Sequence, residues 1–402
     1  MRLKLSSITA GCAGGLALLT ALPALAAPCP TVDHAIYGSG GSAITADLKL
    51  IAIEFAKLAE PITIFYADIG GACPGLEYFT TGSATTAYKY WNAAGVEAQC
   101  DAPEVAPDFA HMGNPVEDCG VTLPDGIGDF QGPVQSLNIV THKDSTYSSI
   151  SAEALYFIYG FGPAAGQVAP WTTDGSVFVR QSNSFASLFL AQSINVPAEA
   201  LYGLGTAQEK TTQGQVISGI GALAASADST LGFVSGSAAD SGGATVKTLA
   251  YQHYDQTCGY WPDAKSNTLD KINVRNGLYH LWAIGHFFAP TDTNGEIENP
   301  DVKNLVEWIN GTNETPGPGD VNVLGKSIES GDIPLCAMRV KREGLLGAVS
   351  SFAPDKPCDC FFEIIATNKQ PAYCEACSDD DDCSDPERPA CNYGYCEAYR
   401  ND

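Results

Sequence analysis

The feature that most constrains this chain is the stretch His34-Ala-Ile-Tyr-Gly-Ser-Gly-Gly-Ser42 and the segment that follows it. Ala35–Tyr37 predict a short buried strand, and the next residues predict a turn, because glycine reaches positive φ without strain. From Ile44 to Leu58, apolar residues recur at spacings of 4, 3, 4 and 3, which indicates one face of a helix with Ser42 as its N-cap. A strand, a Gly/Ser loop and a helix N-terminus together favour an anion site. An ordinary strand-to-helix turn is the alternative.

The first 26 residues have the layout of a secretory signal. Arg2 and Lys4 precede an apolar run that ends in small residues at Ala26. Residues 1–26 are therefore predicted to be a signal peptide, and the mature protein to be exported, either periplasmic or extracellular. No later run is long and apolar enough to cross a bilayer, so no membrane insertion is expected.

The chain is strongly acidic, and this restricts its partners. Its formal net charge is −25 over 402 residues, and −27 without Arg2 and Lys4. Nucleic acids and anionic membranes are poor partners for such a surface. Because the long-range field also repels anionic ligands, any anion site must work through short, directed hydrogen bonds. The length predicts at least two domains.

Residues 356–402 form a Cys-rich acidic tail that holds seven of the 14 cysteines and the run Asp379–Asp382. Such density is typical of a small module held together by disulfides. Zinc bound through Cys374-x-x-Cys377 is the alternative, and calcium at the acidic run lacks the EF-hand spacing. We predict disulfides and no metal site. Without Cys12 the chain has 13 cysteines, so at least one thiol stays unpaired or bonds another chain.

Two further strand–turn–helix units follow the first. Ile62–Tyr66 predict a strand that runs into the glycine-rich turn Asp68–Gly75. Gly175–Arg180 predict another strand, before the polar turn Gln181–Ser184 and a helix over Phe185–Ile194. This alternation is typical of an α/β domain with a parallel sheet, where ligands gather at the carboxyl ends of the strands.

Other segments complete the predicted order of elements. They are strands over Pro107–Pro115, Val134–His142 and Leu231–Val234, helices over Ala152–Tyr159, Gln215–Ala225 and Asp301–Ile309, and a return segment rich in strand formers over Lys271–Trp282. Asn299 is the predicted N-cap of the last helix.

In motif and in order, roughly residues 33–290 resemble the type II periplasmic binding proteins, most closely the phosphate-binding proteins of ABC transporters. Tyr37–Ser42 resembles the family's opening Gly-rich loop, and Tyr66–Gly75 resembles its second loop. Val179–Ser184 resembles its Val-Arg-x-x-x-Ser motif, and Phe109–Asn114 stands in the place of its Phe-Gly-x-Ser-Asp.

This resemblance implies an α/β fold of two lobes joined by two crossover strands, with the disulfide-rich module added at the C-terminus. Residues 27–105 and 245–355 would form the first lobe, and residues 106–244 the second. The cleft between them would close on a small oxyanion, phosphate most of all, without chemistry and without a cofactor. An ABC transporter permease would be the partner, and the partner of the tail stays unknown.

The resemblance further implies a ligand set drawn from both lobes. Its members are Ser39, Gly41, Ser42, Gly70, Gly71, Asn114, Arg180, Ser182 and Ser184. The chain departs from the family where Cys73 enters the second loop, where Asn114 replaces the proton-accepting Asp, and where Ser182 replaces an acidic residue. Because Asn can donate a hydrogen bond as well as accept one, sulfate, another oxyanion or a small organic acid also fit.

Two other classes of function stay open beside the binding protein. A secreted structural or interaction protein that kept the fold and lost the ligand is favoured by the Cys-rich tail. A hydrolase has little support, since no Gly-x-Ser-x-Gly elbow surrounds Ser235 or Ser237, and no catalytic residue or enzyme activity is predicted. An Arg180 paired with an internal carboxylate, or a Cys73 disulfide that fills the cleft, would count against binding.

Overall fold

The computed structural model describes residues 27–68, 70–82, 87–102 and 105–398. The predicted signal peptide, residues 1–26, lies outside the described residues. Within them the fold is α/β with a disulfide-rich C-terminal module, which confirms the fold class predicted from the sequence. No helix of this described part has the length and apolarity needed to span a membrane.

Helices and strands alternate through the first two thirds of the chain. The α-helices in the described ranges are α1 (Thr45–Phe55), α2 (Ala72–Thr81), α3 (Ala152–Phe161), α4 (Pro163–Gly166), α5 (Phe185–Ser193), α6 (Gln213–Gly221), α7 (Gly236–Ser241), α8 (Ile272–Arg275), α9 (Pro300–Asn310), α10 (Val323–Ser330) and α11 (Asp359–Thr367). The strands are β1 (His34–Gly40), β2 (Ile62–Asp68), β3 (Tyr88–Trp91), β4 (Glu97–Cys100), β5 (Phe109–Met112), β6 (Ile127–His142), β7 (Ser149–Ser151), β8 (Val179–Arg180), β9 (Glu209–Lys210), β10 (Gly232–Ser235), β11 (Val246–Thr248), β12 (Ala250–Gln252), β13 (Trp282–Pro290), β14 (Val340–Arg342), β15 (Val349–Ser351), β16 (Ala390–Asn392) and β17 (Tyr395–Glu397).

Nine of these strands join one mixed sheet in the order β10-β6-β13-β5-β1-β2-β3-β4, with β11 also paired to β6. As predicted, β1 and β2 are parallel, and β5 is parallel to β1. The other pairs are antiparallel. The long β6 runs through both halves of the sheet, because Ile127–Ser136 pair with β13 whereas Leu137–His142 pair with β10 and β11.

Two separate hydrophobic cores lie on opposite sides of the cavity that is described in the next subsection. One contains Ile44 and Leu48 next to α1, and the other contains Phe189 of α5. Burial of each such side chain contributes roughly 1.5–3 kcal/mol. Tyr251 and Tyr279, which the sequence assigned to the first lobe, belong to the core of Phe189. The two-lobe boundaries stay a prediction, and this packing favours grouping these tyrosines with the second lobe.

The predicted return strand over Lys271–Trp282 is wrong for most of its length. Ile272–Arg275 form the short helix α8, and β13 begins only at Trp282. The ammonium group of Lys271 lies 2.7 Å from Asp240, its backbone N–H donates to the carboxylate of Asp263 at 2.8 Å, and its φ is +48°. Tertiary contacts therefore override the strand preference of the β-branched residues.

The other predicted elements are found, with shifted ends. The strand predicted over Gly175–Arg180 shrinks to Val179–Arg180, because Asp174–Ser176 form a 3₁₀ turn. The last predicted helix is α9, and the carboxamide oxygen of Asn299 accepts from the N–H of Asp301 at 3.0 Å, as expected of its N-cap.

All seven tail cysteines are bonded, which supports the disulfide interpretation over the zinc alternative. The six disulfides among the described residues are Cys29–Cys100, Cys73–Cys119, Cys336–Cys358, Cys360–Cys374, Cys377–Cys391 and Cys383–Cys396. Cys258 is free and exposed, in agreement with the odd count. The module is thus linked covalently to the body through Cys336–Cys358.

The tail also packs on the body through a buried ion pair. The guanidinium of Arg275 is fully buried and bonds the carboxylate of Asp359 in α11. Its second amino group lies 3.7 Å from Glu363, and the ring of Phe362 lies 4.8 Å from its central carbon. Because Asp359 supplies a counter-charge to a cation in the body, the tail is part of the folded unit.

We expect Asp359→Asn to lower the free energy of unfolding by about 3 kcal/mol, because it leaves the Arg275 charge buried with a weakened partner. Chemical denaturation of the oxidised protein measures the change. Glu387→Gln, at an exposed carboxylate of the same tail, is the matched control. A loss no larger than that of the control would contradict the role given to this pair.

A second prediction concerns Glu397, which is fully buried and accepts from the N–H groups of Cys360 at 2.7 Å and Phe361 at 3.3 Å. Burial and then the nearby Asp359 carboxylate raise the pKa of Glu397 to about 8. The folded protein therefore favours the protonated acid, whose contribution to stability is complete below the unfolded pKa and is lost as the pH rises towards 8.

Glu397→Gln is neutral at every pH, so it should gain stability over the parent as the pH rises from 4 to 8, by roughly 4 kcal/mol at the upper end. Denaturation curves at pH 4, 6 and 8 measure the gain. A difference between variant and parent that stays constant with pH would refute the raised pKa.

Candidate functional site

A cavity of about 300 Å³ lies where the carboxyl ends of β1 and β2 meet segments that pack on the other core. Its lining includes six of the nine predicted ligand residues. The lining residues are Gly41, Ser42, Ala43, Asp68, Gly70, Gly71, Ala72, Gly113, Arg180, Gln181, Ser184, Phe185, Ala186, Thr211, Thr212, Gln213 and Ser235. The sequence therefore located both walls of the cavity.

The starts of α2, α5 and α6 line this cavity, together with the 3₁₀ turn that begins at Ser42. Gly71, Ser184 and Thr212 are the N-caps of α2, α5 and α6, and Ser42 begins the 3₁₀ turn that leads into α1. The first N–H groups of a helix have no acceptor within the helix, and its dipole places partial positive charge there. Their convergence places N–H donors and partial positive charge around the cavity, an arrangement that suits an anion.

Local chemistry explains how these helix starts are held. The hydroxyl of Ser184 accepts from the N–H of Ser187 at 3.2 Å, and that of Thr212 accepts from Gln215 at the same distance. Gly71 has φ 129°, and a side chain there would lie 2.9 Å from the carbonyl oxygen of Asn183. Glycine is therefore required where this loop approaches the opposite wall.

The prediction that Ser42 caps the first helix is wrong. Helix α1 begins at Thr45, after the 3₁₀ turn Ser42–Ile44, and no side chain caps either of the two starts. The Ser42 hydroxyl lines the cavity without serving as a cap.

Arg180 provides the positive charge of the cavity. It is 4% exposed, and its Nε and Nη2 atoms donate to the carbonyl oxygens of Lys210 at 3.1 Å and Thr211 at 2.9 Å. Of the five N–H groups of a guanidinium, three remain for a ligand. Burial lowers the pKa of Arg180 to about 10, against the effect of Asp68, so the group stays charged at neutral pH. Its described hydrogen bonds go to these carbonyl oxygens, and Asp68, the carboxylate that acts on its charge, is paired with Lys89.

Asp68 is a lining residue that the sequence reasoning missed as a ligand. It ends β2, and its Oδ2 atom lies 3.2 Å from the ammonium group of Lys89. The available signal was its position, a carboxylate at the end of a parallel strand and at the start of a glycine-rich turn.

The lining segment Thr211–Gln213, at the start of α6 in the wall opposite the glycine-rich loops, was also missed. The carboxamide oxygen of Gln213 accepts from the N–H of Ser235 at 2.6 Å and so joins two segments of the lining. Thr212 and Gln215 have the spacing of a capping box, and that motif marks the start of a helix in the sequence alone.

Three predicted ligand residues do not line the cavity. Ser39 is buried and donates to the carbonyl oxygen of Gly75 at 3.0 Å. Asn114 is buried and donates to the carboxylate of Asp118 at 3.0 Å. Ser182 lies in the turn before α5, between the lining residues Gln181 and Ser184. Each was placed by motif position, which does not determine where its side chain points.

The Cys73–Cys119 disulfide joins the first turn of α2 to the 3₁₀ turn Val116–Cys119. Neither cysteine is among the lining residues. The disulfide therefore links two segments next to the cavity and does not fill it.

A single grouping of metal-ligand types occurs in the described residues. The sulfur atoms of Cys377, Cys383 and Cys396 lie within 4.8 Å of one another. All three are in disulfides, and a disulfide sulfur is not the thiolate that zinc requires.

No family model and no curated protein matches this chain. Among solved structures, an ABC-type phosphate transport receptor from Vibrio cholerae is 14% identical, with a TM-score of 0.47 over 74% of this chain and 99% of that one. PstS from Borrelia burgdorferi is 13% identical, with a TM-score of 0.39 over 75% and 99%. The reduced OxyR regulatory domain from Pseudomonas aeruginosa is 9% identical, with a TM-score of 0.39 over 69% and 94%.

Proposed function

We propose that this protein is an exported solute-binding protein that holds a small oxyanion, phosphate most of all, in the cavity and performs no chemistry. The observation that carries the proposal is the buried guanidinium of Arg180, which keeps three N–H groups for a ligand beside the N-termini of α2, α5 and α6. A planar fork of donors and a ring of backbone N–H groups suit a tetrahedral anion.

Asp68 favours an oxyanion that carries a proton. A carboxylate only accepts hydrogen bonds, and the rest of the lining offers mainly donors. Hydrogen phosphate would donate its O–H to Asp68 and accept elsewhere. Sulfate has no proton at neutral pH, so one of its oxygens would face the carboxylate unpaired.

Export is supported by the six disulfides, which are typical of oxidising compartments. The proposal also expects a transporter permease as a partner and closure of the two lobes on the ligand.

The other classes of function receive less support from the site. A scaffold that had lost its ligand is expected to neutralise Arg180 or block the cavity, and the described contacts of Arg180 are carbonyl oxygens. For a hydrolase, Ser235 lines the cavity, but its hydroxyl contacts that of Ser237 at 2.9 Å and the lining contains no histidine to act as its base.

Arg180→Ala should lower the affinity for phosphate at least about 100-fold, a loss of ~2.7 kcal/mol that fits a charge-assisted pair. Calorimetric titration of the oxidised protein at neutral pH measures it, with micromolar or tighter binding expected for the parent. Lys143→Ala, at an exposed cation, should bind as the parent does. Folded parent protein that shows no heat with phosphate or with sulfate would overturn the proposed function.

Asp68→Asn should reduce the preference for phosphate over sulfate by about tenfold or more, since the amide can donate to an unprotonated oxygen. The two affinities, measured by the same titration at constant ionic strength, give the ratio. Asp125→Asn, at an exposed carboxylate, serves as the control. A ratio that stays the same in Asp68→Asn would show that Asp68 does not select the anion.

A further inference from the structure

A second cavity, of about 390 Å³, lies between the body and the Cys-rich tail. Three aromatic residues line it: Trp308 at the end of α9, Phe361 in α11, and Tyr393 in the turn between β16 and β17. The Phe361 and Tyr393 ring centres are 5.5 Å apart, and the Tyr393 hydroxyl donates to the carbonyl oxygen of Gly311. This second cavity exists only because the tail docks on the body.

Trp308 carries an unused hydrogen-bond donor at this place. The side chain is 9% exposed, and its Nε1 atom has no hydrogen-bond partner among the described residues. A buried indole N–H normally finds an acceptor. Less than 1 Å² of this nitrogen is accessible in the structure, so the indole would have to turn towards the cavity to reach an acceptor oxygen of a ligand there.

The polar lining also contains acceptors, which need hydrogen-bond donors from a ligand. The carboxylates of Glu314 and Asp320 line the cavity and can only accept. Two side-chain amides, of Asn313 and Asn322, also line the cavity. Their oxygens are already used, because that of Asn313 accepts from Thr315 and that of Asn322 accepts from the N–H of Gly325 at 2.8 Å. Their NH₂ groups are the donors that remain for a ligand.

The charge of the lining disfavours an ionic ligand. An anion would face the two carboxylates. A cation would compete with Lys356, whose ammonium group already lies 2.6 Å from Glu314. A neutral molecule with several hydroxyl groups satisfies donors and acceptors together, because each hydroxyl both donates and accepts, and its C–H faces can lie on the aromatic rings.

We propose that this second cavity binds a neutral saccharide of one or two rings. Sugar hydroxyls would accept from Trp308 Nε1 and the amides and donate to Asp320, with a ring face against Tyr393 or Phe361. Saccharide binding would give the tail a role that is separate from the oxyanion site. This proposal does not depend on whether phosphate binds in the first cavity.

The test uses the full oxidised protein, produced without glycosylation and checked by near-ultraviolet circular dichroism. Saturation-transfer NMR screens the methyl glycosides of glucose, galactose, mannose and N-acetylglucosamine, with cellobiose, lactose and chitobiose. At least one should bind, and calorimetry then gives its affinity. Trp308→Phe keeps a ring but removes the N–H, and Asp320→Asn removes an exposed acceptor charge; each should weaken binding about fivefold or more.

Glu199→Gln, at an exposed carboxylate outside the second cavity, should bind as the parent does. If Trp308→Phe does not fold, Asp320→Asn still decides the result. The proposal is overturned if none of the seven sugars binds to folded protein, or if binding is unchanged in the variants that fold. Binding of lysine methyl ester in place of the sugars would also overturn it, in favour of a cation site.

Discussion

The register between β1 and β2 is the constraint on which the first cavity depends. Parallel pairing sets Gly40 beside Asp68 at the carboxyl ends of both strands. From that edge one loop leads to the 3₁₀ turn before α1 and the other into α2, so the starts of both segments come together. The opposite wall repeats the arrangement with α5 and α6, and Arg180 reaches the cavity from the end of β8.

The cavity carries positive charge although the chain as a whole is acidic. The chain carries a formal net charge of −25, yet the cavity holds a buried guanidinium and the positive ends of α2, α5 and α6. Backbone dipoles and a desolvated cation act over a few ångströms, whereas the surface carboxylates act through water and are screened within about 8 Å at physiological ionic strength. An acidic surface and an anion cavity are therefore compatible.

The sequence was sufficient to predict the cavity-lining residues whose position depends on local backbone structure. Gly41, Gly71 and Arg180 could be found because loop, cap and strand end are encoded by local residues. Asn114 could not be placed correctly, because its amide turns towards Asp118, a contact set by how the chain folds back. Lys271 shows the same limit, since the carboxylates that contact it lie elsewhere in the chain. Asp68 was visible in the sequence, but its role depends on a wall about 110 residues further along the chain.

The order of the last four cysteines has a consequence for the durability of the tail. Cys377 pairs with Cys391 and Cys383 with Cys396, so the two covalent loops interlock. A peptide bond cut between Cys383 and Cys391 lies inside both loops, and both disulfides still join the two pieces. This module can therefore be cut once between Cys383 and Cys391 by a protease and still remain in one covalent piece.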